Sequence, residues 1–239
     1  MEKRTDHIVK SYDDELDQID HIIAEMGVLA ARQLEDAIQA LVKEDTALAQ
    51  KVVLGDAAID ALENEVDALA VRVLALRQPM ALDLRRVVAA MKIGGSLERI
   101  GDYARNIANR SQVVTALPGE YGGIRVIERM GGIVGEMIHG VLEAYRDANV
   151  ERAEAIRLRD EAVDQLNNSL FRELLTYMME TPSNITLSMH LLFIAKNLER
   201  IGDHVTNVAE HVHVMVTGES LESERPKSDH SSQIISEKP

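Results

Sequence analysis

Two nearly identical heptapeptides, "SLERIGD" at 96–102 and "NLERIGD" at 197–203, stand 101 residues apart in a chain of 239. The likeness extends upstream, where an offset of 104 places "EMG" at 25–27 on "RMG" at 129–131 and "GDAAIDAL" at 55–62 on "RDEAVDQL" at 159–166. A chain that carries the same local signals twice is expected to build the same unit twice. The change of offset between the two words predicts a connection two to three residues longer in the first half.

Apolar residues recur at spacings of three and four through 8–216, as in Ile22, Ile23, Met26, Leu29, Ala30, Gln33, Leu34, Ala37, Ile38 and Leu41, which is the helical period. Proline, glycine and capping residues interrupt this pattern at 43–45, 77–83, 115–123, 147–151 and 180–184, so six long helices are expected. Aromatic residues are 3% of the chain; Ala, Leu, Ile, Val and Met carry the apolar content, which suits helix-on-helix packing. The chain reads as all-α, with a three-helix up-down-up bundle at 5–116, a second at 121–216 and a polar, disordered tail at 217–239.

Composition narrows the function. Forty acidic against 26 basic residues give a net charge of -14, which repels phosphate backbones and anionic lipid, so no nucleic-acid partner is expected. Without cysteine there is neither a disulfide nor a thiolate metal site, in keeping with a reducing compartment. The opening "MEKRTDHIVKS" lacks an apolar signal core, and no stretch approaches a membrane span. A cytoplasmic protein that meets membranes only through protein partners is expected.

The repeated words carry acids four residues apart, Glu98 with Asp102 and Glu199 with Asp203, although like charges one helical turn apart are mildly destabilising. On a helical wheel Leu97, Ile100, Ala104 and Ile107 form the buried stripe, and Glu98, Asp102 and Asn106 lie on its flank. The preceding helix of each half carries a second repeated pair, Asp56 with Asp60 and Asp160 with Asp164. Asp60 lies 19 residues before Pro79 and Glu98 lies 19 after it; Asp164 lies 18 before Pro182 and Glu199 lies 17 after it. In an antiparallel hairpin equal distances from the turn mean equal height. Gly101 and Gly202, inside helices where glycine is unfavourable, predict a close approach beside each acid pair. Carboxylates that converge without a compensating Lys or Arg call for a cation. The expected ligands are Glu98, Asp102, Glu199, Asp203, Asp60, Asp164, Asp56 and Asp160, with Asn106 and Asn207 one turn further along adding carbonyl oxygens. An all-oxygen set favours Mg²⁺, Mn²⁺, Ca²⁺ or iron over a structural zinc site, although Zn²⁺ stays among the candidates. The competing reading is a solvated flank, with Arg99 reaching Asp102 and Arg200 reaching Asp203.

Other motifs carry less. "EMIH" at 136–139 has the Glu-x-x-His spacing of di-iron bundles but is not repeated, which counts against the alternative of a carboxylate-bridged di-metal oxidoreductase. His204, His211 and His213 near the end of the last helix complement its dipole more readily than they hold metal. The glycines of "GGIVGEM" at 131–137 predict close helix packing. Arg72, Arg77, Arg85 and Arg86 flank the first proline loop; Arg77 and Arg85 are candidate contacts to an acidic partner. No nucleophile setting, phosphate loop or dedicated phosphate pocket is visible, so a response to transporter state rather than to free phosphate is expected.

The two "LERIGD" words, "RQP" at 77–79 with "DLR" at 83–85, "TYMME" at 176–180 and "HIVKSYDDEL" at 7–16 together resemble the PhoU family of phosphate-transport accessory and regulatory proteins over about residues 5–216. The resemblance implies two tandem pseudo-symmetric three-helix bundles, metal clusters at Glu98 and Asp102 and at Glu199 and Asp203, and a homodimer. It also implies a non-enzymatic negative regulator that links the ATPase of an ABC phosphate transporter to a phosphate-sensing histidine kinase. Glu63 stands where the second half has Asn167, so the two sites need not hold the same ions.

Overall fold

The computed structural model describes residues 2–117 and 123–221. Among them there is no strand. The chain forms α1 Glu2–Val42, α2 Thr46–Gly55, α3 Ala57–Arg77, α4 Leu82–Ala116, α5 Ile124–Arg146, α6 Val150–Glu180, a 3₁₀ turn Pro182–Asn184 and α7 Ile185–Thr217. The centre of the expected joint, 118–122, and most of the polar tail lie outside the described residues.

The breaks fall where the punctuation puts them, and the two halves use the same local chemistry. Asp45 caps α2 by accepting from the Leu48 amide at 2.9 Å, and Asn149 caps α6 by accepting from the Arg152 amide at 2.9 Å; each satisfies an amide that the first helical turn leaves orphaned. The residue before each cap, Glu44 (φ 54°) and Ala148 (φ 48°), is left-handed.

Two expectations need correction. The second helix of the first half is split: Gly55 ends α2, Ala57 begins α3, and Asp56 between them keeps right-handed helical angles while its carboxylate is drawn to Arg105 of α4. The first proline connection is not longer than the second either. Residues 78–81 join α3 to α4 and 181–184 join α6 to α7, so the extra residues of the first half extend its helices.

α1 to α4 pack together, as do α5 to α7, and the halves join along α4 with α7 and α1 with α5. Buried side chains from all seven helices form one continuous core. Leu97, Ile100, Ala104 and Ile107, the expected stripe, are fully buried in it. Gly131 lets α5 approach α1 closely, since a Cβ there would stand 2.8 Å from the Ile38 side chain.

α4 and α7 run antiparallel. Near one end Arg85 Nε donates to the Met215 carbonyl at 3.2 Å, and near the other Arg110 lies 4.2 Å over the Phe193 ring. Midway, Tyr103 meets His204 at a ring separation of 5.7 Å. These two are equivalents in the repeat, 101 residues apart. The swap holds for their neighbours too: Arg200 lies over Tyr103, and the charge of Arg99 is felt by His204. A pseudo-twofold axis therefore crosses α4 and α7 between Tyr103 and His204, directly beside the two acidic words.

Candidate functional site

In the first half the expected register is realised. A Cβ on Gly101 of α4 would stand 2.9 Å from Ile59, 3.3 Å from the Gln33 amide oxygen and 3.4 Å from Asp56 Oδ1, and one on Gly95 would stand 3.5 Å from Glu63 Oε1. Asp56, Asp60 and Glu63 on the α2–α3 side thus meet Glu98 and Asp102 on α4. Burial, with the charge of Asp102, pushes the Glu98 carboxyl up to about 7; burial also raises Glu63, helped by Asp67 and Asp60, and raises Asp56 against the opposing pull of Arg105.

Two cations stand within this group, contrary to the expectation of uncompensated acids. Arg105 pairs with Asp56 and places Nη2 2.6 Å from Asp102 Oδ1, while Arg99 reaches Asp102 at 3.1 Å and Glu98 at 3.4 Å. Arg105 lies one turn beyond the motif, on the same flank as Asp102, and a count of acids alone overlooks it.

The second half repeats the acids with other partners. Gly202 packs directly on the Asp160 carboxylate, whereas at Gly101 the closest neighbour is Ile59, with the equivalent aspartate, Asp56, just behind it; the close approach predicted at both glycines is present. Asp160 and Asp164 are 1% exposed and Glu199 is 6% exposed, a far more enclosed group than its counterpart; Asp203 is half-buried. Thr206 replaces Arg105, and its hydroxyl donates to the Asp203 carbonyl at 2.7 Å. Cationic groups come from elsewhere: Lys196 Nζ lies 2.9 Å from Glu199 Oε1, and Arg157, one turn before Asp160, is 3% exposed. Their equivalents in the first half are Gly95 and Val53.

Among the described residues no three acid or imidazole side chains stand ready to grasp one ion. The donor chemistry nevertheless fits a hard cation. Five oxygen-bearing side chains converge in the first half, and two guanidiniums do not keep burial, with the charge of Asp102, from pushing Glu98 up to about 7; a bound cation offsets both the lost hydration and the repulsion.

The remaining candidates scatter. Glu136 pairs with Arg159 and lines, with His139, Glu35 and Glu128, a groove between α1 and α5. His204 faces Tyr103, whereas His211 borders a groove with Lys92. The basic cluster is engaged within the chain: Arg77 and the largely exposed Arg72 pair with Glu15, Arg86 pairs with Asp20, and Arg85 with the end of α7. Asn106 lines a recess against α7 together with Lys196, the partner of Glu199, while Asn207 is half-buried on α7.

One group was not singled out by the sequence. Asn106, Asn109 and Arg110 of α4 and Lys196, Asn197 and Arg200 of α7 surround a cavity of about 420 Å³ beside the Phe193 ring. Lys196 and Arg200 stand one turn apart on α7, and Arg110 joins them only because α4 and α7 pack antiparallel.

Comparisons with known proteins agree with this architecture. The PhoU domain family matches at residues 23–111 and 127–212, one match in each half. The phosphate-specific transport system accessory protein PhoU homolog of Caulobacter vibrioides (strain NA1000 / CB15N) is 50% identical over 225 residues, covering 94% of this chain and 98% of that protein. The homolog of Rhizobium meliloti (strain 1021) is 44% identical over 230 residues, covering 95% and 96%. Among solved structures, PhoU from Pseudomonas aeruginosa superposes with a TM-score of 0.85 at 35% identity, covering 87% of this chain and all of that one. The phosphate transport system regulatory protein PhoU from Streptococcus pneumoniae gives 0.82 at 27% identity, over 89% of this chain. With both halves matched and near full-length relatives at such identity, the chain belongs to the PhoU family.

Proposed function

We propose that this chain is an accessory protein of a phosphate transport system that restrains phosphate uptake and the phosphate-starvation response when phosphate is plentiful. The carrying observation is the 50% identity, over 94% of the chain, to a protein named as a phosphate-specific transport system accessory protein homolog. In this reading it is a non-enzymatic adaptor, a cytoplasmic homodimer that contacts the transporter ATPase and a phosphate-sensing histidine kinase. No helix among the described residues is long and apolar enough to cross a membrane; in this reading contact with the membrane runs through those partners.

The acidic groups hold divalent or iron-type metal ions in this reading. Asp56, Asp60, Glu63, Glu98 and Asp102 supply oxygens in the first half, and Asp160, Asp164, Glu199 and Asp203 in the second. A bound cation supplies charge neutralisation between adjacent helices. The chain's part is to hold the oxygens at one height on either side of Gly101 and Gly202, and to release Arg105 and Lys196 from the carboxylates they now occupy.

The test is deletion of the gene followed by measurement of phosphate uptake and a starvation-promoter reporter in phosphate-replete cells. Both should rise, and both should return to low values on complementation; unchanged uptake and reporter would sink the regulator reading. Complementation with Asp102→Ala/Asp203→Ala, together with metal analysis of that protein purified without chelator, separates the metal question. Stoichiometric metal in the parent and its loss in the variant support the sites; equal metal in both removes them.

A further inference from the structure

We infer that the cavity between α4 and α7 is a binding site for a phosphate-class oxyanion, either the free ion or the terminal group of a phosphate monoester. It stands on its own geometry, beside the enclosed acids of the second half, with which it shares Lys196. In a chain of net charge -14, three cations and three asparagines from two helices line a single recess of about 420 Å³, within the usual range of small-ligand sites. Guanidinium, ammonium and carboxamide N–H groups are the donors that an oxyanion with three or four acceptor oxygens requires.

Two of these cations are not consumed by carboxylates. Arg110 lies 4.2 Å over Phe193 with Nη1 3.4 Å from His190 Nδ1, and Arg200 lies 5.7 Å over Tyr103. Neither pairs with a carboxylate among the described residues, unlike Arg77, Arg86, Arg99, Arg105 and Arg159. A ring face positions a guanidinium and leaves its in-plane N–H groups available. The third cation, Lys196, is held 2.9 Å from Glu199, and an incoming anion competes with that carboxylate for it.

The molecule contains its own control. Under the repeat, Asn109 becomes Glu210, Arg110 becomes His211, Lys196 becomes Gly95, and Arg200 becomes Arg99, which is already paired with Glu98 and Asp102. The pseudo-equivalent groove at the other end of α4 and α7 is lined mostly by apolar side chains, among them Leu84, Val88, Val214 and Met215; its basic groups are Arg85, Lys92 and His211, and Glu210 stands among them. The acids are duplicated, whereas the set of three carboxamides with two ring-stacked arginines and a lysine is not: among the described residues the equivalent groove has no asparagine, its Arg85 donates to the Met215 carbonyl, and Glu210 stands beside its other cations.

The experiment is titration calorimetry of the full chain with inorganic phosphate and, separately, with AMP, both at constant ionic strength. The parent is compared with Arg110→Gln/Arg200→Gln and with Lys92→Gln from the opposite groove. Saturable binding is expected, weakened at least about tenfold in the double variant and unchanged in Lys92→Gln. Circular dichroism and thermal melts establish that all three proteins are folded. Tighter binding of AMP than of phosphate identifies the ester as the source, and equal or weaker binding identifies the free ion. Absence of saturable binding of either, or binding that the double variant retains in full, overturns the site. If the double variant does not fold, amide chemical shifts of Asn106, Asn109 and Asn197 in the parent replace it, and shifts unmoved by both ligands overturn the site. Direct binding of free phosphate would also replace the expectation that the chain responds to transporter state alone.

Discussion

At the residue scale, the consequential positions are those where a side chain, or the lack of one, decides how closely two charged surfaces meet. Gly202 packs against the Asp160 carboxylate, whereas Gly132 has nothing within 4 Å of the place where a Cβ would stand. Alanine at both positions gains helix propensity, but only at Gly202 does it displace a buried acid. Gly132→Ala should stabilise by about 0.5–1 kcal/mol and Gly202→Ala should destabilise by roughly 1–3 kcal/mol; urea titration reads both, and a stabilised Gly202→Ala contradicts the packing described. Glu98 gives a pH dependence of definite sign. Its carboxyl is raised from 4.5 to about 7 by burial and Asp102, so the native state holds that proton more tightly than the unfolded chain does. The resulting stability is fully present below the unfolded value and is lost as pH rises through about 7. Metal-free parent should therefore lose more melting temperature than Glu98→Gln between pH of about 5.5 and about 8. His204 and His211 are depressed by burial and act in the opposite direction, but equally in both proteins. Identical pH profiles would mean that Glu98 does not carry the slope.

At the scale of elements, the hairpins were legible because their signals are local. Asp45 and Asn149 cap equivalent helices, each preceded by a left-handed residue that is not glycine, Glu44 and Ala148. Glu44→Gly and Ala148→Gly should each stabilise by about 0.5–1 kcal/mol by removing the Cβ penalty of that conformation. Asp45→Ala and Asn149→Ala should each cost about 1 kcal/mol. Denaturation midpoints distinguish the two directions. The height of the acids was legible for the same reason: helices on either side of a turn rise equally, so Glu98 is found opposite the α3 acids. The break at Asp56 was not expected from the sequence; it follows Gly55, where the uninterrupted α6 has Arg159, and there the Asp56 carboxylate pairs with Arg105 of α4, a contact across 49 residues.

At the scale of the whole molecule, the halves are joined as one cooperative body. Their buried side chains belong to a single core, and α4 packs on α7 as extensively as any pair of helices in the chain. The full chain should unfold in one transition by calorimetry, with equal calorimetric and van't Hoff enthalpies. Ile107→Ala in the first half should lower that single midpoint, at a cost of about 2–5 kcal/mol, without exposing a second transition. Two separated transitions would show that the α4 and α7 interface is not part of the cooperative unit. The same interface creates the pseudo-twofold axis between Tyr103 and His204, and it sets the cationic recess beside the enclosed acids of the second half, with Lys196 shared between them.

The all-α class, the duplication, the caps and the register of the acids followed from the sequence alone, because each depends on residues a few turns apart or on equal counts from a proline. Arg99 meeting Asp102 one turn along the same helix followed as well. The further cations were not expected from the sequence: Arg105, Lys196 and Arg157 occupy positions that the repeat does not keep, and the pairing of Arg105 with Asp56 depends on how α4 is turned against the neighbouring segment. The recess of Arg110, Lys196 and Arg200 depended wholly on tertiary structure: charges some 90 residues apart come together only where two long antiparallel helices place them at the same height.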